Sequence, residues 1–178
     1  LKKIVMPTLK ALKQKNHSYS GFLYVGLMIK NNEPYLIEYN VRMGDPECQV
    51  IMPRLKTDIV KLLSASIENK LNKVKIKWSK EKCMATVLCS KGYPEKQIIN
   101  KKIDLKKIKL TKKSFIFHAG TKIKDRILLS NGGRVLNIVV LGSSFFKIRN
   151  QILKIIRKIN WKYGFFRRDI GWRVIKKK

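Results

Sequence analysis

The 178 residues carry 41 Lys and Arg against 11 Asp and Glu, a formal charge of +30, and 44% of them are hydrophobic. That balance excludes a disordered chain and allows one large or two small domains with real cores. The longest apolar run, Gly21–Ile29, is far short of the ~20 residues that a spanning helix needs, and no signal-peptide pattern opens the chain, so no membrane partner is expected.

A charge of +30 ordinarily points to a polyanion. Here 32 lysines stand against 9 arginines and are scattered along the whole chain, whereas phosphate and base readers rely on Arg forks. General drift towards Lys, Ile and Asn is the simpler source, and no specific nucleic-acid partner is expected. The cysteines Cys48, Cys83 and Cys89 form no C-x-x-C pair, and only His17 and His118 could assist them in a zinc site. Free thiols in a reducing cytoplasm follow. The chain opens on Leu1, as a piece of a longer polypeptide would.

In chain order, a short amphipathic helix is expected from about Thr8, after Pro7. Gly21–Ile29 is continuously apolar and reads as a strand buried on both faces. Lys30–Pro34 turns the chain, and Tyr35–Arg42 returns antiparallel. On that second strand Ile37, Tyr39 and Val41 point one way, to a core, while Glu38, Asn40 and Arg42 point the other. One face thus offers a carboxylate, an amide oxygen and a guanidinium. Glu38 and Asn40 can converge on a hard cation whose open positions take water or phosphate, and Arg42 can grip those phosphates. A half-exposed edge strand that simply meets water is the plainer alternative. Three of the 11 acids (Glu38, Asp45, Glu47) fall within ten residues, where an even scatter puts about 0.6.

Asp45, Pro46 and Glu47 read as N-cap, N1 and first turn of a helix. A longer helix is expected from about Thr57 to Leu71, with Ile59, Leu62, Leu63 and Ile67 as its stripe, then a strand Val74–Trp78. A domain boundary near residue 80 divides 1–80 from 81–178. Beyond it, Ala85–Ser90, Phe115–Thr121, Ile127–Ser130 and Arg134–Leu141 read as strands, the last two joined by Asn131-Gly132-Gly133 as a hairpin. A helix from about Ser144 to Asn160 carries Ile148, Ile152, Ile155 and Ile159 at helical spacing. His118 reads as a hydrogen-bonded structural residue ahead of a catalytic one. Arg167 and Arg168 suit either a sugar phosphate or a salt bridge to Asp169, before the terminal Lys176–Lys178.

Six blocks in chain order resemble one family. Tyr19-x-Gly21-x-Leu23-Tyr24-x-Gly26-Leu27-Met28 and Glu38-x-Asn40-x-Arg42-x-Gly44-Asp45-Pro46-Glu47-x-Gln49 look like the end of the ATP-grasp domain of the phosphoribosylamine–glycine ligases. Gly92-Tyr93-Pro94, Phe117–Thr121, Gly132–Leu136 and Arg167–Gly171 look like the C-terminal domain of that family. The resemblance implies a mixed α/β (α+β) fold, an antiparallel ATP-grasp sheet remnant followed by a small α+β domain. It implies ATP-dependent ligation of glycine to 5-phosphoribosylamine through a glycyl phosphate, in purine biosynthesis. Glu38 and Asn40 then match positions that hold Mg²⁺ or Mn²⁺, and Arg42 one suited to charge on the transferring phosphoryl group. Asp45, Glu47, Arg167 and Arg168 fall to substrate binding.

Cys48, where Thr is usual, and Glu95, where Gly is common, depart from the pattern. The nucleotide-gripping strands and the N-terminal substrate domain have no counterpart in these residues, so half a site and little turnover in isolation are expected. Another ATP-grasp carboxylate–amine ligase, or a basic nucleic-acid-binding protein, are the competing readings.

Overall fold

The computed structural model describes residues 1–175, and Lys176–Lys178 lie outside them. The chain forms two compact units: Leu1–Cys48 with Leu55–Trp78, and Gln49–Arg54 with the residues from Ser79 onward.

In the first unit, α1 (Val5–Gln14) starts three residues before the expected Thr8. Pro7 falls in its first turn, where a backbone N–H has no intrahelical acceptor to lose. Strands β1 (Tyr24–Lys30) and β2 (Glu33–Asn40) form an antiparallel ribbon. Asn31 and Asn32 join them with φ of 51° and 62°, the two left-handed residues of a type I′ turn, which Asn tolerates well. The Thr8 hydroxyl meets the Tyr39 hydroxyl, tying α1 to the ribbon.

The expected double-sided burial of the first strand is not found. Leu27, Met28 and Ile29 are 44%, 58% and 59% exposed, because β1 pairs with β2 alone among the described residues. Ile37 and Val41, expected to face a core, are also exposed. Between the Gly26–Glu38 and Leu27–Leu36 pairs the register shifts, so Ile37 is the extra residue of a bulge. Val41 lies past the strand end.

Helix α2 (Glu47–Ile51) begins at Glu47, so Pro46 precedes it and Asp45 is not its N-cap. Helix α3 (Ile59–Ile67) is shorter than expected. Its N-cap is Asp58, which accepts from the Val60 N–H at 2.7 Å and the Lys61 N–H at 3.3 Å. Leu63 and Ile67 are exposed, and Ala65 is the buried residue of this helix. Val74–Trp78 is not a strand: a short 3-10 turn (Leu71–Lys73) precedes an extended run that touches Leu55 through a single bridge at Trp78.

The second unit is built on an antiparallel sheet in the order β4–β7–β3–β8, with β3 (Lys82–Ser90), β4 (Ser114–His118), β7 (Arg134–Gly142) and β8 (Gly164–Phe165). The central strand β7 is sealed, with Val135, Leu136, Ile138 and Val139 fully buried. Leu136, Ile138 and Val140 share a face by period 2, and Met84 and Leu88 face Val140 and Leu136 in register. Helix α4 (Phe145–Ile156) packs Ile148, Ile152 and Ile155 into that cluster. Ser144 caps it by accepting from the Lys147 N–H at 3.3 Å.

The expected hairpin at Asn131-Gly132-Gly133 is not formed. Strand β6 (Ile127–Ser130) pairs with β5 (Thr121–Lys124), closed by Asp125 and Arg126 at φ 50° and 60°. The glycines pass the chain on to β7 in the other sheet. A Cβ at Gly133 would stand 2.1 Å from the Tyr93 ring, so the close approach demands glycine there. The expected strand Phe115–Thr121 is split between β4 and β5.

Candidate functional site

Glu38 and Asn40 stand two apart on β2, hence on one face of the ribbon. Across from them, in register, are Gly26 and Tyr24. A Cβ at Gly26 would lie 3.0 Å from the Glu38 Cγ, so the Glu38 side chain extends over the bare backbone of residue 26. The bulge at Ile37 adjoins this pair and sharpens the local twist, a device common beside functional sites.

The turn after β2 folds back onto the same face. The Tyr24 hydroxyl reaches the Glu47 Oε1 at 3.5 Å, a long hydrogen bond. Gly44 is buried beneath both side chains: a Cβ there would stand 2.2 Å from the Glu47 Oε2 and 2.9 Å from the Tyr24 ring. The Glu47 charge, burial, the Glu38 charge and the hydrogen bond to Glu47, in that order, hold the Tyr24 phenol above its ordinary 10.0. Both carboxylates therefore act on one hydroxyl.

Sequence reading gave Tyr24 no role. The available signal was the alternation itself, because Tyr24-x-Gly26 is the partner row of Glu38-x-Asn40.

Arg42 does not join the row. The strand ends at Asn40, and the Arg42 Nη1 donates to the Met43 carbonyl at 2.9 Å from an exposed position. Alternation therefore stops before Arg42, which corrects the three-residue face. Asp45 is exposed on the turn. Arg167 and Arg168 belong to the second unit. Arg167 grips Asp169 bidentately, Nε–Oδ1 at 3.1 Å and Nη2–Oδ2 at 2.6 Å, while the Arg168 carbonyl accepts from the Arg149 guanidinium. His118 Nδ1 lies 3.1 Å from the Thr121 hydroxyl, a hydrogen-bonded role as expected.

As donors, Glu38 and Asn40 are hard oxygens on one face, the chemistry that Mg²⁺ and Mn²⁺ prefer. No group of three or more His, Cys, Asp or Glu is placed to hold a metal among the described residues. A site with two protein ligands, the remainder left to water and phosphate, fits that arrangement.

Residues 83–173 match the family described as "Phosphoribosylglycinamide synthetase, C domain", and residues 1–48 match "Phosphoribosylglycinamide synthetase, ATP-grasp (A) domain". The chain belongs to the phosphoribosylglycinamide synthetase family. It is 40% identical over 176 residues to the phosphoribosylamine–glycine ligase of Agrobacterium fabrum, covering 98% of this chain and 41% of that one. The chloroplastic phosphoribosylamine–glycine ligase of Arabidopsis thaliana is 39% identical over 184 residues, covering 100% and 34%. The crystal structure of the phosphoribosylamine–glycine ligase of Thermotoga maritima is similar with a TM-score of 0.75 and 32% identity, over 91% of this chain and 40% of that one. The chain thus spans about two fifths of the length of these bacterial synthetases. The mixed α/β architecture with antiparallel sheets matches the family fold. No described helix is long and apolar enough to cross a membrane.

Proposed function

We propose that this chain carries the metal- and phosphate-facing half of an ATP-dependent carbon–nitrogen ligase that joins glycine to 5-phosphoribosylamine. The observation that carries the reading is the Glu38–Asn40 row, set on the matched ATP-grasp segment and followed in order by the matched C domain. The second match favours this ligase over other ATP-grasp enzymes.

In this account Glu38 and Asn40 hold Mg²⁺ or Mn²⁺, which when bound neutralises triphosphate charge and aligns the γ-phosphoryl group. A glycine carboxylate oxygen attacks the γ-phosphorus and ADP leaves, giving glycyl phosphate. The amine of 5-phosphoribosylamine then attacks the acyl carbon, phosphate leaves, and the amine gives up a proton. Arg42 supplies a guanidinium for charge on the transferring phosphoryl group, which requires it to swing from the Met43 carbonyl. Asp45 and Glu47 suit the amine groups of the substrates. Arg168, and Arg167 once it releases Asp169, carry the guanidinium chemistry that grips a phosphate. The residues upstream in the longer relatives supply the rest of the nucleotide site. A reducing, cytoplasmic setting accords with three cysteines that form no disulfide.

The test is a chimera in which this chain replaces the corresponding part of the Agrobacterium fabrum ligase. Glycine- and phosphoribosylamine-dependent ADP release is expected, and Glu38→Gln should lower it at least about 100-fold. A folded chimera whose turnover is unaffected by Glu38→Gln would contradict the assignment.

A further inference from the structure

Two carboxylates flank one face of the ribbon, yet a magnesium–triphosphate site works best with few of them. Each added carboxylate neutralises charge that the phosphates would otherwise meet, and takes a coordination position from them. The Glu47 Oε1 accepts a long hydrogen bond from the Tyr24 hydroxyl at 3.5 Å, and its Oε2 occupies the space over the buried Gly44, where a Cβ would stand 2.2 Å away. Tyr24 itself faces Asn40 in register.

We infer that Tyr24 is a positioning residue that holds the Glu47 carboxylate out of the Glu38–Asn40 row. Gly44 completes the clasp by giving that carboxylate a place to rest. Glu47 thereby stays available to a cationic substrate amine and does not become a third metal ligand. The inference rests on the assignment of Glu38 and Asn40 as metal ligands.

The experiment titrates Mn²⁺ alone into the full chain, with affinity read from the electron paramagnetic resonance signal of the free ion. Tyr24→Phe keeps the ring against Gly44 but removes the O–H, so Glu47 is free to rotate. Mn²⁺ binding should tighten by about threefold or more as ligand charge rises. Adding Glu47→Gln to Tyr24→Phe should return affinity to the wild-type value. Gly44→Ala, which displaces the same carboxylate by contact, should also tighten binding. A merely loosened ribbon would weaken binding, the opposite sign. Unchanged or weaker binding in Tyr24→Phe, or no reversal by Glu47→Gln, overturns the inference. Wild-type binding that is insensitive to Glu38→Gln instead overturns the metal assignment, and the inference with it.

Discussion

Gly26 and Glu38 face each other across the ribbon, with the Glu38 Cγ 3.0 Å from where a Cβ on residue 26 would sit. The absence of a side chain at one position thus sets the path of the carboxylate at the other. Valine at position 26 has the better strand propensity and ends the entropic cost of glycine, so Gly26→Val should hold or raise the thermal midpoint. It should also push Glu38 aside and weaken Mn²⁺ binding several-fold. Calorimetry beside a Mn²⁺ titration checks both, and stability and affinity falling together would refute this relationship.

Burial pushes the Cys83 thiol up to about 11, against a smaller opposing effect of the Arg54 charge. The folded chain therefore keeps a proton that the unfolded chain releases near 9.0. Stability from this group is complete below pH 9 and is lost as pH rises towards 11. Cys83→Ala should flatten that alkaline fall in denaturant midpoints. Alkylation of Cys83 by iodoacetamide should still be accelerating between pH 9 and 10, where an unperturbed thiol levels off.

The hydrogen bonds from Arg167 are the main cause that holds the Asp169 carboxyl below 3.8. The stabilisation is present above pH 3.8 and disappears as pH falls through the lowered value. Both groups are solvent-exposed, so the effect on folding should be small and weaken with salt. Carboxyl carbon NMR should show the Asp169 titration return towards 3.8 in Arg167→Ala. An unmoved titration would mean that the pair does not persist in solution.

Ile152 is 1% exposed where α4 meets the sheet. Ile152→Ala should cost about 3 kcal/mol in the unfolding free energy of the second unit, through lost transfer energy and the cavity left behind. Urea denaturation measures it, and a loss under about 1 kcal/mol would mean that the helix is not seated as described.

Much of this architecture was legible where period and neighbours agree. The Ile148, Ile152 and Ile155 spacing marked α4, and the glycine turn signal ahead of Arg134–Leu141 marked β7, and both elements bury into one continuous core. Alternation failed at Ile37 and Val41, since a one-residue bulge and an early strand end reset which face each residue meets. Hydrophobicity also overstated burial in Leu27–Ile29, where composition records a face but not whether anything covers it. Asn131-Gly132-Gly133 has good hairpin chemistry, yet the tight approach of Gly133 to Tyr93 and of Gly132 to Gly120 gave those glycines another use. In the candidate site, the Glu38-x-Asn40 spacing set both residues on one strand face, which β2 bears out. The approach of Tyr24 and Glu47 was not, because it depends on a turn that folds back after the strand ends.

The most direct measurement is paramagnetic broadening of backbone amides in the full chain by trace Mn²⁺ with ADP. Broadening should be strongest at Glu38 to Asn40 and across the ribbon at Tyr24 to Gly26, and Glu38→Gln should abolish it. Broadening centred on acids of the second unit such as Glu81 or Asp104, or unchanged by Glu38→Gln, would contradict the assignment of this ribbon face to the metal.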